Sequence, residues 1–222
     1  MPAANAAIEQ ILAHRSIRQY RSEQIPLETI NNIVSAAQRS STSSNLQTYS
    51  VVAVTERTTR KKISALCGNQ KHIIQAPVFL AWCADLNRLE RVCELRGYQQ
   101  HHDYFENFLI AAVDAAIAMQ TASIAAESTG LGICYIGAIR NHPDEIIKLL
   151  NLPSLVFPIC GMTLGYPAEE PLIKPRLPLK EVLHWEYYDR VEQDHHLSAY
   201  DQEMIATGVY QGRQVKSKIN VS

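Results

Sequence analysis

Apolar positions along this chain follow a helical period in some stretches and run without interruption in others. From about Asn5 to Ala13, Ile8, Ile11 and Leu12 share one face and predict a short helix. Pro26 opens a second helix carrying Ile30, Ile33, Val34 and Ala37, because a first-turn N–H has no partner to lose. A strand is expected at Val51–Thr55 and a helix at Thr58–Cys67. The cations Arg57, Arg60, Lys61 and Lys62 oppose that helix's dipole, which predicts a solvated face. Gly68 to His72 reads as a turn, and the unbroken apolar run Val78–Ala84 as a buried strand. A helix is expected over Leu86–Arg96. The longest element runs from about Tyr104 to Ser128, with Glu106, Asp114 and Glu127 as its charges. At 1.5 Å per residue it spans roughly 35–40 Å. A helix apolar on most faces requires burial on most faces, so part of it is expected to pack on a second copy. Gly130 and Gly132 are expected to end it. A short strand Ile133–Ile136, a helix His142–Leu150 and a buried strand Val156–Leu164 follow. Pro167, Pro171, Pro175 and Pro178 then impose extended chain. The polar end from Glu186 is expected to wrap a partner or fray. Helices around three or four short strands make an α+β two-layer plan, without internal repeat.

Composition narrows the class. The chain has 222 residues, 46% hydrophobic and 19% charged, which suits one folded domain. A net charge of −1 creates no field toward nucleic acid or anionic membrane, so any anion binding must be local. No window of 18 apolar residues is evident, and no membrane span is expected. The five cysteines form no C-x-x-C pair and are odd in number. With no cationic start and apolar run of a signal peptide, a reduced cytoplasmic protein is expected.

Four polar or glycine-bearing segments interrupt the apolar pattern: His14–Arg18, Ser40–Gln47, Gly132–Arg140 and Lys174–Arg176. The first packs an imidazole, two guanidiniums and a hydroxyl into five residues. Such a cluster suits a phosphate or an electron-rich ring, since arginine presents a planar fork of donors. The Ser40–Asn45 run is a linker or, lying in the body of the domain, a functional loop. Together the segments suit one ligand with a phosphate, a polyol and a conjugated ring. No G-x-G-x-x-G follows a strand, and no G-x-x-x-x-G-K-[ST] or G-x-S-x-G occurs. The adjacent pairs His101-His102 and His195-His196 lack metal-ligand spacing, and no metal is expected. Cys134 is expected to be a core residue.

These motifs resemble, in one order along the chain, the flavin-dependent nitroreductase family. They are His14-Arg15-Ser16-Ile17-Arg18, Ser43 to Gln47, Gly68 to His72, Tyr135 to Arg140, and Gly161 to Pro167 followed by Lys174 to Pro178. The similarity covers roughly residues 8–185 and points to the oxygen-insensitive NADPH nitroreductase and flavin reductase branch. It implies an α+β nitroreductase-like fold with a mixed or antiparallel sheet flanked by helices. It also implies a homodimer with the long helix in its interface and two FMN sites between subunits. By the resemblance, His14, Ser16, Lys174 and Arg176 hold the FMN phosphate, and Arg15 supports that end or the ribityl chain. Arg18 lies near N1 and C2=O of the ring and stabilises its anionic reduced form. Thr42, Ser43, Ser44 and Gln70 contribute further contacts, and Tyr135, Ile136 and Gly137 place backbone N–H groups near the ring's reactive nitrogen. Asn45 lies where the loop continues toward the partner's flavin.

The flavin carries the chemistry, so no separate catalytic residue is implied. The implied reaction is ping-pong: NAD(P)H gives a hydride and leaves, and a nitroaromatic, quinone or free flavin takes its place. Residues 1–185 are expected to form the FMN domain. Residues 186–222 would extend it, wrapping the partner subunit or contacting NADPH, with Arg213 the candidate contact. Gly137-Ala138 replaces the branch's frequent Gly-Gly, and the C-terminal part is short for the branch. The alternatives are a reductase specialised for free FMN or one metabolite, and a non-enzymatic FMN-storing or sensing protein.

Overall fold

The run expected to be a buried strand is the spine of a four-stranded sheet in the computed structural model, which describes residues 5–101 and 103–209. Its strands are β1 (Tyr49–Val54), β2 (Val78–Asp85), β3 (Gly132–Ile136) and β4 (Val156–Gly165). They lie in the order β1-β2-β4-β3, and every neighbouring pair is antiparallel. The mixed-sheet option therefore falls away. β1 starts two residues before the expected Val51, because Tyr49 and Ser50 pair with Ala84 and Cys83.

All of β2 is buried, for a reason visible in its alternation. Val78, Leu80 and Trp82 face a core built with helices α2 (Leu27–Ala37) and α6 (Phe105–Ser128). Phe79 and Ala81 face the opposite core, with α3 (Arg57–Leu66), α4 (Lys71–Gln75) and α7 (Pro143–Leu150). Helices thus cover the sheet on both sides. The expected α+β fold is borne out, with pairing closed by the short β3 at one edge. Helix α1 (Ala6–Leu12) forms where expected, yet its apolar face is exposed. Pro26 is the N-cap of α2 rather than its first residue. Helix α5 (Asn87–Leu95) fills the connection after β2.

Helix α6 buries its small side. Ala111, Ala115, Ala118, Ala122 and Ala126 are fully covered, letting the helix approach the sheet closely. Phe108, Leu109, Val113 and Ile117 remain 39–47% exposed on the other side. By length and composition alone this helix could cross a bilayer, with a mean hydropathy of 1.7. That corrects the expectation that no segment qualifies, although its alanine face belongs to the core described above. Gly130 ends the helix with φ of +79°. Gly132 does not share that role: it starts β3, and a Cβ there would meet Ile17 Cγ1 at 2.5 Å.

Arg60 also departs from expectation. It is buried rather than solvated, and its guanidinium donates to the carbonyls of Ile74, Ala76 and Thr55. A helix position unfavourable for the dipole of α3 thereby serves the C-terminal end of α4. Cys67, Cys83, Cys134 and Cys160 are buried, and burial pushes the Cys67 and Cys83 thiols up to about 12.

The chain divides into two units, Met1–Pro171 and Leu172–Ser222. In the second, extended chain leads into a 3-10 turn at Leu179–Glu181. The polar end then forms helix α8 (Gln193–Ala206), tied to that turn by a 2.6 Å contact of His196 Nδ1 with Glu181 Oε1.

Two outcomes follow. Gly161→Ala forces a methyl to within 2.3 Å of the buried Phe79 ring. It should lower the unfolding free energy by about 1–3 kcal/mol in chemical denaturation. Thiol titration of the native protein at mildly alkaline pH should react Cys93 first, the remaining cysteines responding after denaturation.

Candidate functional site

Residues 14–21 form an extended strap between the start of β3 and the end of β4. Ile17 N–H donates to Ile133 O at 2.8 Å, and Ala168 N–H donates to Gln19 O at 2.9 Å. Arg21 N–H donates to Tyr166 O at 2.9 Å, and Tyr20 bridges to Pro167. The buried Tyr20 hydroxyl pins the strap by contacts with Ile17 O and Thr163 Oγ1, both 2.7 Å. Burial pushes its phenol well above the ordinary tyrosine value.

The strap carries His14, Arg15, Ser16 and Arg18, and carboxylates meet it at three points. His14 Nδ1 lies 2.5 Å from Glu127 Oε1, and Arg15 Nη1 lies 2.8 Å from Glu170 Oε1. Glu169 Oε1 accepts the backbone N–H groups of Arg18 (2.6 Å) and Gln19 (3.0 Å). His14 and Arg15 line a cavity of about 750 Å³ with Arg21, Glu127 and Gly132. Ser16 and Arg18 lie on the same strap without lining that cavity.

Gln70 sits at the N-cap of α4, where its Nε2 donates to Cys67 O at 2.8 Å. Ser64 Oγ donates to Gln70 O at 2.9 Å, so α3 fixes this turn from behind. The turn adjoins the strap: burial, and then nearby Arg18, push the His72 imidazole toward its neutral form. Tyr135 and Ile136 close β3, and Gly137 opens the 3-10 turn after it. The Tyr135 hydroxyl donates to Gln120 Oε1 at 2.9 Å, and burial raises its phenol to about 12.

The loop bearing Thr42, Ser43 and Ser44 is bent by three left-handed residues, Ser44, Asn45 and Gln47, at φ of +49°, +56° and +53°. Such conformations cost roughly 1 kcal/mol or more each and need outside support. Asp114 supplies it. Its buried carboxylate accepts Ser43 N–H at 3.0 Å, Thr48 N–H at 3.1 Å and the Thr48 hydroxyl at 2.9 Å. Asp114 and Glu127 are about 20 Å apart along α6. One chain therefore brings the strap, the Gln70 turn and β3 into one region, and holds the serine loop elsewhere.

Lys174 and Arg176 belong to the second unit. Lys174 is half-buried, and Arg176 is exposed, its Nη1 donating to Lys174 O at 3.1 Å. Arg213 lies outside the described residues. Among the described residues, no group of three potential metal ligands occurs.

Asp114, Gln120, Glu127, Glu169 and Glu170 were not singled out from sequence as site residues. The isolated charges in α6 were the signal that could have exposed two of them.

Residues 11–166 match the model of the "Nitroreductase family" and residues 174–218 that of the "Nitroreductase family, C-terminal domain". A "FMN reductase [NAD(P)H]" of Bacillus subtilis is 43% identical over 90% of this chain and 82% of its own length. The structure of NfrA2 from B. megaterium superposes with a TM-score of 0.91 at 40% identity, covering 95% of this chain and 85% of that one. The "NADPH:FMN oxidoreductase from Vibrio harveyi complexed with NAD+" gives 0.86 at 39% identity, covering 91% and 86%.

Asp114→Ala should cost about 1.5–3 kcal/mol, the scale of hydrogen bonds to a charged group. The expected signs are a lower melting temperature and faster proteolytic cleavage within residues 40–48.

Proposed function

Because the chain belongs to the nitroreductase family, we propose that it is an FMN-dependent oxidoreductase. It takes reducing equivalents from NAD(P)H and passes them to nitroaromatics, quinones or free flavins by a ping-pong sequence. When bound, FMN supplies a ring that accepts a hydride from one ligand and gives it to another.

The observation that carries this reading is the strap. On a chain of net charge −1, it places His14, Arg15 and Arg21 in the lining of a cavity of about 750 Å³, with Arg18 on the same strap. The donor set fits a phosphorylated flavin. Arginine forks match phosphate oxygens, and His14 Nε2 makes no hydrogen bond among the described residues. In this reading His14, Ser16, Lys174 and Arg176 hold the phosphate, and Arg15 supports the polyol end. Arg18 offers a fixed positive charge where the ring gains electron density. Gln70, Tyr135, Ile136 and Gly137 border the ring.

The serine loop fits the same scheme through a homodimer. Its distance from the strap along α6 suits Thr42, Ser43 and Ser44 to a neighbouring chain's cofactor. The exposed Leu109, Val113 and Ile117 beside that loop offer the apolar surface such pairing needs. Residues 186–222 act as a C-terminal extension, and Arg213 is the candidate for the NADPH phosphate. Five cysteines without a C-x-x-C pair suit the cytoplasm.

An absorption spectrum tests the reading. The purified protein should show oxidised flavin, bleached by anaerobic NADPH and restored by a quinone or nitroaromatic. Flavin that NADPH and NADH both leave oxidised would mark a storage or sensing protein instead. The double variant Arg18→Ala with Arg176→Ala should lose FMN, and full stoichiometry in it would overturn the site assignment.

A further inference from the structure

His14 is held by one partner, and that contact decides what its other nitrogen can offer. Its Nδ1 lies 2.5 Å from Glu127 Oε1, with the Glu127 side chain 15% exposed. An ionised carboxylate only accepts hydrogen bonds, so Nδ1 must carry the proton. Nε2 then holds a lone pair in the neutral ring and donates only after the ring takes up a second proton. A phosphate offers acceptors and negative charge, and it favours that uptake.

We propose that Glu127 is a positioning residue: it fixes the tautomer and orientation of His14, so that phosphate binding brings one proton onto the imidazole. This rests on the reading above that His14 meets the FMN phosphate. In the uptake the Nε2 lone pair takes a proton from solvent, and the resulting N–H donates to a phosphate oxygen. The neighbouring charges agree with a single titrating device. Arg15 and Arg21 come from the strap, Glu169 and Glu170 from the segment after β4, and Glu127 from α6. Helix α1 contributes uncharged Gln10 to the cavity, which donates instead to Ile124 O at 2.6 Å. Arg15, a donor only and paired with Glu170, offers His14 no acceptor. Glu127 thus converts a residue with two possible tautomers into a donor that forms when the anion arrives.

The test is cofactor affinity of the flavin-stripped protein, read by flavin fluorescence for FMN and for riboflavin, which lacks the phosphate. For the wild type, the FMN Kd should rise as the solution is made more alkaline. The riboflavin Kd should stay flat. Glu127→Gln should raise the FMN Kd roughly tenfold or more, the loss expected for one hydrogen bond to a charged group. It should change the riboflavin Kd less than about twofold by the same reasoning. His14→Asn should remove the protein's part of the pH dependence, leaving only that of the phosphate itself. The inference is overturned if Glu127→Gln leaves FMN affinity unchanged or weakens FMN and riboflavin equally. It is also overturned if His14→Asn keeps the wild-type pH profile, a test available even should Glu127→Gln fold poorly. Failure of the wild type to bind either flavin would instead overturn the underlying reading.

Discussion

The polar side chains of α6 organise the site. An otherwise apolar helix holds three of the candidate segments of the first unit: the serine loop through Asp114, Tyr135 through Gln120 and His14 through Glu127. Thr121 accepts the Ser40 hydroxyl at 2.7 Å and adds a second hold on that loop. The alanine face makes this possible. Small side chains let the helix lie close on the sheet, so short side chains reach segments that larger packing residues would hold away. Binding sites depend on such supporting contacts, because a loose donor loses the advantage of being placed beforehand.

The strap adds the second constraint. Cations confined to a few residues repel one another unless countered, and Glu127, Glu169 and Glu170 supply the counter-charge. Glu170 is 84% exposed, so its pairing with Arg15 is weak and easily exchanged for another anion. Glu169 differs, because it accepts two backbone N–H groups and so shapes the strap itself.

Much of this was legible in the sequence, for identifiable reasons. Period and run length gave β2, α2, α6 and the α+β class, because apolar spacing reports directly on burial. The clustered His14–Arg18 donors drew attention to the strap, whose His14 and Arg15 line the cavity. What failed to show were partners distant along the chain. Nothing local to Arg60 reveals that carbonyls of Ile74 and Ala76 await its guanidinium. Gly132 looked like a helix stop, yet its small size serves the close passage of Ile17. The polar end reads as a segment that wraps a partner or frays, and helix α8 within it did not show because it lacks an apolar stripe and buries no residue.

Arg60 has one consequence for behaviour in acid. The serine loop hangs on the Asp114 carboxylate, and the strap is tied chiefly by main-chain hydrogen bonds and the Tyr20 hydroxyl. The C-terminal end of α4 hangs on a guanidinium that keeps its charge throughout, bound to main-chain oxygens that do not titrate. Acidification should therefore leave the seat of α4 against α3 intact, because neither partner of that contact changes its charge.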